Sequence, residues 1–191
     1  MYSIKAQEDD KQTHPTTPSR PTTSFLSHTK MPGLRFFSGF VVAIACVLSG
    51  VYAESHTVTF DNRCGFGTPT LKANGVTLST GGAYTRNGPL LGAIAYLQTG
   101  NCGANGENCL LLETTLVNPT APGSGSSTDL SLIPPHAFSV TTGFGYYNGC
   151  DGAGADCTNA NCPTAFRSPG DTFVQVACQA NNVNLAITFC D

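Results

Sequence analysis

Cysteine carries most of the chemistry legible in this 191-residue chain. Cys46 lies inside an apolar run. The other eight, Cys64, Cys102, Cys109, Cys150, Cys157, Cys162, Cys178 and Cys190, all follow residue 53. No two are spaced as C-x-x-C, and only His56 and His136 share the region, so no zinc ligand set forms and no metal site or cofactor is expected. An even number of cysteines behind an apolar leader reads as a disulfide framework. Cys190 ends a strand-like run one residue from the terminus, so its partner must lie far back in the chain. Cys64, which ends the first strand-like run, is the best candidate. Other reactive patterns are sparse. Gly123-Ser124-Gly125-Ser126-Ser127 is a low-complexity loop without the strand-to-helix turn of a nucleophile elbow. No glycine-rich phosphate loop opens a helix. Phe144, Tyr146 and Tyr147 sit in a glycine-rich stretch. If exposed they can stack on sugar rings; otherwise they cover one end of the fold.

These side chains need a scaffold, and the leader must first be set aside. Residues 1–30 are polar and rich in Pro, Thr and Ser, with no apolar periodicity, so they are not expected to fold alone. Residues 31–53 combine the basic flank Met31 to Arg35, the apolar run Phe36 to Leu48 and the small-x-small ending Val51-Tyr52-Ala53. That is the pattern of a secretory signal peptide. Either Met1 or Met31 can be the true start, and Met31 is the natural one for a signal. Left uncleaved, the segment is close to spanning length and would anchor the chain in a membrane. Cleavage after Ala53 leaves residues 54–191, one domain by size. There the bases are only Arg63, Lys72, Arg86 and Arg167, against nine acids. Nothing neutralises a run of phosphates, so nucleic acid is an unsuitable partner.

The domain reads as short strands separated by turns. His56–Asp61 alternates and forms the first. Thr70–Ala73 and Val76–Leu78 flank Asn74-Gly75, a type I′ hairpin signal. Ala83–Thr85, Ala93–Leu97 and Leu110–Leu116 follow; in the last, Leu110, Leu112, Thr114 and Leu116 oppose Leu111, Glu113 and Thr115. Residues 118–128 read as a loop. Asp129–Ile133 and Ala137–Thr141 read as strands broken by Pro134-Pro135. Residues 143–161 read as a disulfide-bearing loop. Thr172–Ala177 and Val183–Phe189 read as a hairpin, with Val183, Leu185, Ile187 and Phe189 on one face. Strands at this spacing, with no long helix, predict an all-β sandwich.

Several stretches then resemble one family in order along the chain. Phe60-Asp61-Asn62-Arg63-Cys64 resembles the opening strand of thaumatin-like proteins. Leu78-Ser79-Thr80-Gly81 with Tyr84-Thr85 is similar to their Leu-x-x-Gly-x-x-Trp-Thr stretch. Thr99-Gly100-Asn101-Cys102-Gly103 is similar to their Thr-Gly-Asp-Cys-Gly centre. Leu112 to Leu116, Asp129 to Leu132 and Ala137 to Val140 resemble three further strands. Cys162-Pro163-Thr164-Ala165-Phe166 and Ile187-Thr188-Phe189-Cys190 match the closing motifs. The resemblance runs from residue 57 to 190 and implies a small, disulfide-stapled thaumatin-like β-sandwich without the family's second domain. It also implies one pairing of the eight cysteines: Cys64–Cys190, Cys102–Cys109, Cys150–Cys178 and Cys157–Cys162.

The resemblance further implies an acidic cleft, implicated in β-glucan binding and in some members in β-1,3-glucan hydrolysis. Its acids fall on the strands matched by Glu113 and Asp129. Such carboxylates accept from sugar hydroxyls, or act as acid and nucleophile or base in glycoside hydrolysis; equally, they can be ordinary carboxylates on a solvated sheet face. The family's cleft arginine has no counterpart in Ala93 to Gln98, and His136 stands where a third Asp is usual. Without a positive neighbour or a deep apolar wall, neither carboxyl is expected to have a strongly raised pKa. The expectation is therefore a secreted, extracellular or wall-bound binding protein for cell-wall polysaccharide, β-1,3-glucan first. Its ligand-binding candidates are Glu113, Asp129, His136, Tyr146 and Tyr147. The alternatives are an endo-β-1,3-glucanase using Glu113 and Asp129, and an inhibitor or effector that binds a secreted protein.

Overall fold

The computed structural model describes residues 53–191. The polar extension and all but the last residue of the signal segment lie outside the described residues. The rest is all-β: twelve strands in two sheets, with no helix among the described residues. The strands are β1 (Ser55–Asn62), β2 (Thr68–Ala73), β3 (Val76–Ser79), β4 (Tyr84–Asn87), β5 (Leu90–Gln98) and β6 (Leu111–Leu116) in the first half. The second half adds β7 (Ser126–Ser131), β8 (Thr142–Tyr147), β9 (Gly154–Cys157), β10 (Ala165–Phe166), β11 (Val176–Cys178) and β12 (Asn184–Phe189). One sheet runs β4-β1-β12-β8-β9. The other runs β10-β7-β6-β5-β2-β3, with β11 also on β7.

The alternation read from the sequence decides which faces meet. Leu185, Ile187 and Phe189 of β12 are fully buried, as is Val58 of β1. Across the interior, Leu71, Ala93, Ala95, Leu112, Leu116 and Leu130 turn inward from the second sheet. Two such faces remove their apolar side chains from water at roughly 1.5–3 kcal/mol for each large residue, which is what holds the layers together. The β2–β3 hairpin forms about Asn74 (φ 50°) and Gly75 (φ 76°), the left-handed pair a type I′ turn requires.

All four disulfides implied by the family resemblance are formed: Cys64–Cys190, Cys102–Cys109, Cys150–Cys178 and Cys157–Cys162. The first joins the ends of β1 and β12, which pair in parallel at the centre of their sheet. Parallel neighbours so far apart in sequence cannot share a tight turn. The bridge supplies a covalent closure there, beside the hydrogen bond from Arg63 N to Phe189 O.

Four sequence expectations differ from the structure. The Thr172–Ala177 and Val183–Phe189 hairpin does not form. Only Val176–Cys178 is extended, and it pairs with β7 of the other sheet, while β12 pairs with β1 and β8. The connection instead crosses between sheets at Cys178, where the bridge to Cys150 holds it. The loop assigned to residues 118–128 ends early, because β7 already starts at Ser126. Its Ser127 and Thr128 pair with β6 and β11, so polar residues occupy a central strand. Ala137–Thr141 is irregular rather than a strand. Finally, residues 143–161 contain the antiparallel pair β8–β9. The glycines hid it: Gly143 and Gly145 alternate with the buried Phe144 and Tyr146. A Cβ on Gly143 would collide with the Asp156 carboxyl, and one on Gly154 with the Phe144 carbonyl. Gly154 thus lets two backbones approach, and Gly143 leaves room for the Asp156 side chain.

Candidate functional site

The site is built on the outer face of the second sheet. Register places Lys72, Ile94, Glu113 and Asp129 in one transverse row across β2, β5, β6 and β7. Because side chains alternate, the inward Leu112 and Leu130 fix Glu113 and Asp129 on the opposite face, directly facing each other. Cross-strand partners of this kind hold their Cβ atoms about 4.5–5.5 Å apart. Glu113 is exposed, whereas Asp129 is only 6% exposed.

Above this floor runs a cleft of about 420 Å³. Its far wall is the end of β10 and the segment after it: Phe166, Ser168, Pro169, Asp171 and Gln175. The wall is held in shape by Asp171, whose Oδ2 accepts from the backbone N–H of Arg167 (2.8 Å) and of Ser168 (3.0 Å). The return bond from Asp171 N–H to Ser168 O (3.0 Å) closes the turn. Gln175 reaches over the floor, its Nε2 donating to Asp129 Oδ1 at 3.5 Å.

Among the described residues no cation pairs with these acids. The two ion pairs among the described residues, His56–Glu54 and Arg63–Asp61, lie elsewhere. Ile94 occupies the place in the row beside Glu113, and Lys72 beyond it donates to the carbonyl of Ala104. Burial therefore pushes the Asp129 carboxyl up to about 7, and the charge of Glu113 adds to the rise; the bond from Gln175 opposes it. This overturns the expectation that neither carboxyl has reason for a strongly raised pKa. The cause is the burial of Asp129, a tertiary property that the sequence does not display. Near neutral pH the Asp129 carboxyl is therefore partly protonated.

Under the floor, a buried polar chain ties the two sheets. Tyr146 OH donates to Val176 O (3.0 Å) and lies 2.9 Å from Thr128 Oγ1, which in turn lies 2.7 Å from Thr114 Oγ1. Tyr146 is 3% exposed, so it presents no ring face to a ligand, contrary to the expectation that it binds one. Burial pushes its hydroxyl up to about 12, which keeps it a donor. Its function is to seat β7, and with it Asp129, against the opposite sheet.

No family model and no curated protein matches this chain. Among solved structures it is similar to the thaumatin-like xylanase inhibitor TLXI. The two share 19% identity, and the match covers 71% of this chain and 99% of that one with a TM-score of 0.46.

Of the five candidates read from the sequence, the fold brings together Glu113 and Asp129. His136 does not join them. Its Nδ1 bonds Gly106 O (2.9 Å) in the loop closed by Cys102–Cys109, and only Ile133, three residues earlier, reaches the cleft. Tyr147 is half-buried on β8, in the other sheet, and is not part of the cleft lining. Sequence reasoning missed Asp171 and Gln175. Asp171 follows Ser-Pro-Gly, a turn pattern that carries no signal of a site, and Gln175 was placed in a hairpin that does not form.

Proposed function

We propose that this chain is a small secreted thaumatin-like protein that binds a neutral cell-wall polysaccharide, β-1,3-glucan first, in the cleft over Glu113 and Asp129. The observation that carries the reading is the pairing of those two carboxyls on one sheet face beneath the wall of residues 166–175. An ionised carboxylate accepts two sugar hydroxyls, and a protonated one adds a donor, so the pair can satisfy a diol in both senses. A panel of insoluble β-1,3-glucan, xylan, mannan and chitin, scored by pull-down and by release of reducing ends, tests the reading. Retention on β-1,3-glucan without product supports it; no retention on any member ends it.

A second reading, an endo-β-1,3-glucanase, has one specific observation in its favour. Asp129 stays partly protonated at neutral pH beside Glu113, as an acid and its partner must in glycoside hydrolysis. Against it, the two carboxyls are neighbours on one floor, whereas the hydrolytic pair flanks the scissile bond. The product assay separates the two: oligosaccharide release that disappears in Glu113→Gln would make the protein an enzyme.

Secretion rests on the leader pattern and on four disulfides, which persist in oxidising compartments. The contacts of the domain also fit a mature start at Glu54. Its carbonyl accepts from Gly88 N–H (2.7 Å), and its Oε1 accepts from Asn118 N–H (2.7 Å) and faces Nε2 of the fully buried His56 (3.0 Å). Sequencing the secreted protein is expected to return Glu54 or an adjacent residue; a start before Arg35 would contradict cleavage and favour the membrane anchor.

A further inference from the structure

We propose that the lateral mouth of the sandwich, between the edge strands β3 and β4, docks an extended acidic segment of a partner protein, which adds to β4 as a further strand. The proposal is independent of the carbohydrate reading, and the two sites share no lining residue. β3 ends one sheet and β4 ends the other. Between them lies a groove of about 380 Å³, lined by Val76 and Leu78 of β3, Tyr84 and Arg86 of β4 and Leu91 of β5, among others. Val76 is 59% exposed and Leu91 56%, so two of the four exposed large apolar side chains among the described residues share this groove. Single exposed apolar residues are ordinary, but a paired set on one concave surface is the pattern of an interaction site. A bulge turns Leu91 outward: β5 takes three steps from Leu90 to Ala93 while β6 takes two from Leu116 to Thr114, and Leu90 stays buried.

Charge names the occupant. The domain has four bases, and three are engaged. Arg63 pairs with Asp61, Lys72 donates to Ala104 O and Arg167 donates to Ala160 O. Arg86 alone makes no side-chain hydrogen bond or ion pair among the described residues, and no acid lines its groove. An unpaired cation over an apolar groove, on a domain otherwise rich in acids, complements a carboxylate flanked by apolar groups. A second copy of this chain fits poorly, because β4 against β4 would bring two such arginines to one mouth.

The backbone says how the occupant lies. Gly88 N–H donates to Glu54 O (2.7 Å), and antiparallel alternation then gives His56–Arg86 and Val58–Tyr84 as the hydrogen-bonded pairs of β1 and β4. Thr85 and Asn87 therefore turn their N–H and C=O groups away from β1, toward the open edge. An added strand bonds to those two residues. Its residue opposite Arg86 then shares the inner face with that guanidinium, and the residues two places away on each side cover the apolar groove.

The probe is the end-capped, fluorescein-labelled peptide Thr-Val-Thr-Glu-Thr-Val-Thr, with Lys in place of Glu as one control and N-methylation of the two central threonines as the other. Secreted protein expressed from the full coding sequence is titrated by fluorescence anisotropy, and amide shifts locate the peptide. The expected result is saturable binding with shifts at Thr85, Asn87 and Leu91. The Lys peptide should bind roughly 5- to 10-fold more weakly, and the N-methylated one not at all. Arg86→Gln should hold the Glu and Lys peptides within about twofold of each other. Leu91→Ser, at an exposed position, should weaken the Glu peptide roughly 3- to 10-fold with an unchanged melting temperature. No binding by native protein, equal binding of the Glu and Lys peptides, or binding that survives N-methylation overturns the proposal. So does a dimer in sedimentation that Arg86→Gln tightens, which would make a second copy the occupant, or oligogalacturonate shifting the same amides while the peptide does not.

Discussion

The double variant Cys64→Ser, Cys190→Ser is expected to unfold about 5 kcal/mol more easily than the native protein, because this bridge closes the longest loop in the domain. The two cysteines are 126 residues apart, against 28, 7 and 5 for the other bridges. In the chain-entropy account a loop of that length constrains the unfolded ensemble most, and a loop of about 6 residues is worth only about 2 kcal/mol. Total stability for a single domain is on the order of 5–15 kcal/mol, so the variant should lie near its unfolding threshold. The bridge also sits where β1 and β12 pair in parallel with no local turn to hold them in register. Denaturant melts of this variant and of Cys157→Ser, Cys162→Ser measure the difference. An equal loss in both variants would contradict the account.

Asp129→Asn is expected to stabilise the protein at pH 8 and to do little at pH 4. Burial pushes the folded carboxyl up to about 7, well above its ordinary value near 3.8. Between those values the folded state holds a proton that the unfolded state has lost, so stability falls as pH rises from about 4 to about 7 and then levels off. The full displacement is worth roughly 2–4 kcal/mol above pH 7. Asparagine carries no charge, so the variant escapes this loss while keeping an acceptor for Gln175. Other groups titrate as well. Asp156 is raised by burial and by its neighbour Asp191, so the informative quantity is the difference between variant and native protein across pH. A difference that stays flat from pH 4 to pH 8 would mean that Asp129 is not held protonated by its surroundings.

The parts of this fold legible in the sequence share one property: their side chains alternate between interior and solvent. The β2–β3 hairpin announced itself through Asn74-Gly75, and β12 through Val183, Leu185, Ile187 and Phe189. Leu112, Thr114 and Leu116 alternate in the same way, and that alternation already placed Glu113 on the outer face. Where glycine replaces one face of the pattern, as at Gly143 and Gly145, the strand was hidden. A short polar strand such as Ser126–Ser131 was hidden for another reason. Its stability comes from neighbours on both edges and from the Tyr146–Thr128–Thr114 hydrogen bonds, which no local pattern encodes. The cleft was half legible. Glu113 and Asp129 were reached through a family resemblance, whereas Asp171 and Gln175 come from an irregular segment whose placement depends on tertiary contacts. The raised pKa of Asp129 was hidden in the same way, since its burial is a tertiary property.

Calorimetric titration of native protein and of Glu113→Gln with a soluble β-1,3-glucan oligosaccharide tests the central claim most directly. Glu113 is exposed, so the substitution is expected to leave the fold intact. Loss of one charged hydrogen bond to a sugar hydroxyl should weaken binding by about 1–2 kcal/mol, roughly 5- to 30-fold. A native protein that binds the glucan with a Kd unaffected by Glu113→Gln would place the ligand elsewhere on the molecule and contradict the assignment of this cleft.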